Sequence, residues 1–86
     1  MSKDPLARCA ALLNILQAGI PSHDVLFSHV LRKGQVALYT IQGRRDKYEI
    51  QYLFSTQKVI VKTKSATFCF SDLDKAIDAL NEWLSI

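Results

Sequence analysis

The sequence predicts an α+β fold with two N-terminal helices, a four-stranded antiparallel meander and a C-terminal helix packed on the aromatic face of the sheet. Three observations carry that expectation. Between Val36 and Phe70, four short apolar runs are separated by polar, turn-like stretches. In the second run Tyr48, Ile50, Tyr52 and Phe54 alternate with Lys47, Glu49 and Gln51, the period of two of a half-buried strand. On either side of this region apolar residues recur at helical spacing instead. The chain has 86 residues, 49% of them hydrophobic, with few Gly and Pro, which implies one domain over 1–86 and argues against disorder.

Asp4-Pro5 opens the first helix, since Asp caps free amides and Pro suits the first helical position. Leu6, Cys9, Ala10, Leu13 and Leu16 form one stripe, and Gly19 ends the helix. Ala7, Ala11, Leu12 and Ile15 make the opposite side apolar too, as expected of a helix covered on more than one side. After Ile20-Pro21, Ser22 is placed to cap a second helix that runs to Lys33 and stops at Gly34. Its apolar side is Leu26, Phe27, Val30 and Leu31, with His29 at the border as a hydrogen-bonded packing residue. Ser71, with Asp74 three residues on, is the expected cap of the closing helix. Leu73, Ala76, Ile77, Leu80, Trp83 and Leu84 form its buried face, with Trp83 as a core residue.

The strands are Val36–Gln42, Lys47–Phe54, Lys58–Thr63 and Ala66–Phe70. The loop at Gly43-Arg44-Arg45-Asp46 pairs Ile41 with Tyr48 and Tyr39 with Ile50. A loop over Ser55–Lys58 would set Phe54 opposite Val59 and Tyr52 opposite Val61. The Lys64-Ser65 turn sets Phe68 opposite Val61 and Phe70 opposite Val59. All three hairpins agree on one aromatic and β-branched face, because a one-residue slip would reverse every side chain. On the other face they predict an apolar row of Val36, Leu53, Ile60 and Cys69, then Leu38 with Gln51, Lys62 and Thr67. Such a row requires a cover, from the first two helices or from another subunit.

Net charge is +3, unevenly spread: residues 35–70 carry six basic and two acidic side chains, and 71–86 carry one basic and four acidic. The sheet is therefore basic and the last helix acidic. Cys9 and Cys69 are expected to be buried free thiols, too few for a disulfide framework. Those thiols with His23 and His29 lack the spacing of a zinc site, so neither metal nor cofactor is implied. No apolar run approaches the ~20 residues of a membrane span and no signal peptide opens the chain, which points to a cytoplasmic protein with no membrane partner.

Catalytic motifs are missing: there is no phosphate-binding glycine loop, metalloprotease helix or nucleophile motif, so the expectation is not an enzyme. Helices followed by a basic antiparallel meander resemble RelE-type RNase toxins in order, over residues 6–70, yet no catalytic residue carries over. The helix–sheet–helix order is also similar to a double-stranded-RNA-binding domain. That family places lysines where this chain has Ser71-Asp72-Leu73-Asp74, and acid there repels phosphate. Gly19, Ile20 and Val25 fall at helix-turn-helix positions, but the following helix offers few polar side chains to base edges.

The expectation is a small non-catalytic binding or regulatory module. Its first candidate ligand is nucleic acid or an acidic protein surface, met by Arg44, Arg45, Lys47, Lys58, Lys62 and Lys64, since phosphate attraction needs such a basic patch. The alternative is a protein-binding adaptor, inhibitor or homodimer that uses Val36, Leu38, Leu53 and Ile60 together with the first helix.

Overall fold

The computed structural model describes residues 5–44 and 46–85. A first helix, α1 (Pro5–Gly19), is followed by β1 (Val25–Leu31), β2 (Val36–Gln42), β3 (Lys47–Leu53), β4 (Lys58–Lys62), β5 (Thr67–Phe70) and a last helix, α2 (Leu73–Leu84). Each strand pairs antiparallel with its sequence neighbour, giving one five-stranded sheet in the order β1-β2-β3-β4-β5. The α+β class, the meander and the closing helix are as expected. The strand number and the helix before the sheet are not.

The expected second helix is β1. Its side chains do alternate, with Val25 opposite Ile41 and Phe27 opposite Tyr39, but the register shifts at Ser28 before resuming with His29 opposite Leu38. This bulge inserts one residue, so the core-facing positions become Val25, Phe27 and Val30. That spacing, with Leu26 and Leu31 beside it, imitates one face of a helix. Beyond β1 a turn with 3-10 hydrogen bonding spans Arg32–Gly34. Arg32, Lys33 and Gly34 have φ of 52°, 54° and 91°, all left-handed. For the two non-glycine residues that conformation costs about 1–2 kcal/mol each.

The β2–β3 and β4–β5 registers match the alternation. The β3–β4 register does not: Tyr52 lies opposite Val59 and Leu53 opposite Lys58. Phe54 stays with β2, its N–H donating to Gln35 O at 3.0 Å, and the chain turns one residue earlier than expected. Gln57 closes that turn at φ 60°, its N–H donating to Leu53 O at 2.7 Å. Facing is preserved, because the pairing shifts by two residues (Tyr52 meets Val59 instead of Val61), but the rows of the sheet move. At the β2–β3 turn Gly43 is required for space: a Cβ there would meet Asp46 O at 2.9 Å and Tyr48 Cε2 at 3.0 Å.

Both helices pack on the aromatic face. The core joins Cys9, Leu12, Leu16 and Ile20 from the first helix region to Tyr39, Ile41, Ile50, Val59 and Val61 of the sheet, with Ala76 and Leu80 of α2. Burying each large side chain there contributes about 1.5–3 kcal/mol before entropy. Covering is one-sided for α1, whose Leu6 and Ile15 stay 58% and 54% exposed. The Gln17 amide latches α1 to β1: Nε2 donates to Ile20 O (3.0 Å) and His23 O (2.7 Å), while Oε1 accepts from Val25 N–H (2.9 Å). The Tyr39 hydroxyl donates to Cys9 O at 2.7 Å. At the far end of α1, Asn81 Nδ2 donates to Gly19 O at 2.7 Å.

Several local expectations are corrected. Asp72, not Ser71, caps α2, its carboxylate accepting from Lys75 N–H at 2.9 Å. Trp83 is half-buried, closing the core edge against Tyr48, Phe68 and Phe70, with the Phe68 ring 4.8 Å away. Cys9 is buried but Cys69 is exposed. His29 is exposed on the outer face, its Nδ1 bonded to Ser28 Oγ. The Asp4 cap lies outside the described residues.

Candidate functional site

With α1 and α2 on the same side, no helix among the described residues covers the opposite face of the sheet. The cover expected from the first two helices is absent, since one of them is an edge strand and the other sits on the aromatic face. Rows on the open face follow from the registers. Leu31, Val36, Leu53 and Lys58 cross the sheet in one, and His29, Leu38, Gln51, Ile60 and Cys69 in the next. Leu26, Thr40, Glu49, Lys62 and Thr67 make the third. The single apolar row expected from sequence is therefore split, and its members meet diagonally.

Val36 and Leu38 are only 6% and 5% exposed, although neither joins the core cluster. They lie on β2, shielded from both sides by residues of β1 and β3. Leu53 and Ile60 are half-buried and Leu31 is exposed. The four interface candidates Val36, Leu38, Leu53 and Ile60 thus form one apolar centre, extended by Leu31 on β1. Every strand Phe and Tyr (Phe27, Tyr39, Tyr48, Tyr52, Phe68, Phe70) has the opposite facing, so among the described strand residues the open face offers a base only the His29 imidazole to stack on.

The basic candidates divide between the two ends of the strands. Arg44, Lys47, Lys62 and Lys64 lie at the end bearing the 43–46 and 63–66 turns, all exposed. Lys47, Lys62 and Lys64 line a shallow hollow of about 410 Å³, shared with Asp46, Glu49 and Thr63. Glu49 is opposite Lys62, and its carboxylate accepts from Gln51 Nε2 at 3.0 Å. Lys58 falls at the other end, the end of the Arg32–Gly34 turn. Arg45 lies outside the described residues.

That second end has basic groups that the sequence did not assemble. Arg8 holds its guanidinium 4.1 Å above the Phe54 ring, and Phe54 in turn bonds Gln35, next to the left-handed Arg32 and Lys33. Only the strand directions, once β1 is known, bring these residues to one end.

A hollow of about 420 Å³ beside the start of β1 is lined by Ser22, His23, Asp24, Leu26 and Gln42. Ser22 Oγ lies 2.9 Å from His23 Nδ1. The same 2.9 Å contact recurs between Ser28 and His29 on an exposed strand, so it reflects the geometry of neighbouring residues and not an assembled catalytic pair. Among the described residues no three His, Cys, Asp or Glu gather as metal ligands, and no helix is long and apolar enough to cross a membrane.

Compared with known proteins, the chain matches no family model, no curated protein and no solved structure.

Proposed function

We propose that this chain is a non-catalytic binding module that seats a partner protein on the open face of its sheet. The observation that carries the reading is the apolar centre Leu31, Val36, Leu38, Leu53 and Ile60 on a sheet whose two helices both lie on the opposite side. The centre is buried at Val36 and Leu38, half-buried at Leu53 and Ile60 and exposed at Leu31; apolar surface of this kind on a face without a covering helix marks interaction sites. Lys47, Lys58 and Lys62 stand around this centre, with Glu49 opposite Lys62 and Asp46 next to Lys47 at one end. The fitting partner is therefore an apolar surface edged by acidic groups, whose charge complementarity would set specificity and association rate more than affinity.

Ile60→Lys tests this. On an uncovered face the lysine head reaches water even from the half-buried Ile60 site, so the loss of stability should be ~1 kcal/mol. Partners retained by the parent in a binding assay should be lost by the variant at both low and high salt. A variant that loses several kcal/mol of stability would mean that the face is internal, and one that keeps every partner would remove the face as the site.

Nucleic acid is the second reading, favoured by Arg44, Lys47, Lys62 and Lys64 lying at one end of the sheet. It comes second because Asp46 and Glu49 share the same hollow and because the strand Phe and Tyr rings all face the other way. The test is Arg44→Ala combined with Arg45→Ala. Stability should change by less than ~1 kcal/mol, as for exposed charges. Affinity for a mixed-sequence oligonucleotide should fall, and its dependence on salt should flatten. Equal binding by parent and double variant at low salt would exclude this end as a polyanion site.

A further inference from the structure

The β5 edge of the sheet is open, and the backbone groups it presents can be identified. Gly43 N–H donates to Asp46 O and Thr63 N–H donates to Ala66 O, both at 2.8 Å. Antiparallel ladders alternate between bonded and non-bonded pairs. The first contact therefore aims the backbone of Tyr48, Ile50 and Tyr52 at β2 and that of Glu49, Gln51 and Leu53 at β4. The second independently aims Phe68 and Phe70 at β4, and the two agree across the sheet. The N–H and C=O groups of Thr67 and Cys69 consequently point away from the sheet.

Edges are commonly blunted by charges, prolines or bulges. From Ser65 to Ser71 the chain has no charged residue and no proline, and the β4–β5 register is unbroken. The β1 edge differs, with its bulge at Ser28 and the left-handed turn that follows. Phe68 sits on the β5 edge 39% exposed, its ring against Trp83.

We propose that β5 pairs with β5 of a second copy, antiparallel, about a two-fold axis at Phe68. Only odd-numbered residues offer free backbone groups, so the register must match odd with odd. An axis at Phe68 does so, placing Thr67 of one copy opposite Cys69 of the other with both groups of each satisfied. The two Phe68 side chains then form a non-hydrogen-bonded pair, in which facing side chains are closest, and bury the surface each exposes alone. An uncharged strand meets its own copy without repulsion. The contact is isologous and closes on itself, while the bulged β1 edges discourage further growth. It uses the sheet edge and leaves the open face free, so it stands apart from the partner-binding reading.

Sedimentation over a wide concentration range should show the mass of the parent doubling. Thr67→Pro deletes an amide that makes no bond to β4, so it should yield a monomer with the parent's circular dichroism spectrum and with the unfolding midpoint of the parent at concentrations too low for it to dimerise. In Thr67→Cys the new thiol lies opposite Cys69 of the other copy, with Cα atoms ~5.5 Å apart and within disulfide range. Mild oxidation should give a covalent dimer that the parent, with Cys69 set diagonally across the axis, does not form. A parent that is monomeric throughout, a dimer indifferent to Thr67→Pro, or failure of Thr67→Cys to cross-link would each overturn the proposal. If Thr67→Pro does not fold, the cross-link decides. Ile60→Lys should leave the dimer intact; its loss there would move the contact to the open face.

Discussion

Tyr39 is fully buried and donates its hydroxyl to the backbone of α1, which makes it the side chain through which pH reaches the core. Burial, with Cys9 adding to it, raises its phenol well above the ordinary value of 10.0. The folded chain therefore keeps a proton that the unfolded chain releases. This stabilisation is fully present below about pH 10 and is lost as pH rises through the folded value, by up to ~1.4 kcal/mol per pH unit. Tyr39→Phe should cost about 0.5–1.5 kcal/mol near neutral pH, the net worth of one hydrogen bond. It should also flatten the fall in the urea midpoint above about pH 10. An unchanged alkaline slope in the variant would assign that slope to other groups.

At the scale of elements, α1 and α2 meet where glycine leaves room. A Cβ on Gly19 would lie 2.9 Å from Ile77 Cγ2, beside the Asn81 bond to the same residue. Gly19→Ala should destabilise by about 1–3 kcal/mol through overpacking. Ile77→Ala removes the obstacle, so the double variant should lose less than the two single losses added, a coupling that urea denaturation of all four proteins would measure. Additive losses would place the strain elsewhere. These contacts also explain what was legible. The β2–β3 hairpin could be read because its alternation is uninterrupted and Gly43 marks the turn. β1 could not, because one residue inserted at Ser28 turned a period of two into an imitation of a helix. Phe54 looked like a further strand residue, and Gln57 takes its left-handed conformation without the glycine that would announce it. Arg32 and Lys33 are hidden in the same way. Of the open face, the residues on β2 to β5 were legible from alternation, whereas Leu26, His29 and Leu31 were lost with β1. The rows, and the separation of Lys58 from the other lysines, depended on the turn that was misplaced.

At the scale of the whole molecule, the described residues form two layers, with both helices on one face of the sheet. That asymmetry decides the meaning of Ile60→Lys. In a three-layer protein a lysine there would be forced into a core at a cost of several kcal/mol. Here it should cost little and remove only association. Charge follows the same division, with Asp74, Asp78 and Glu82 exposed on α2 and lysines around the open face. Loss of partner binding with stability retained is the combination that the proposed binding face predicts.

Because every strand lies beside the one synthesised before it, the sheet can close without searching for distant segments. The Asn81–Gly19 bond and the packing of α1 on Tyr39 are the long jumps, spanning 62 and 30 residues. Loop closure makes such contacts late and slow, whereas hairpins form in about 1–10 μs. Stopped-flow kinetics of Asn81→Ala should therefore show faster unfolding with an almost unchanged folding rate, and an Ile50→Val variant should slow folding itself. The reverse result would mean that the helices meet first and the sheet assembles on them.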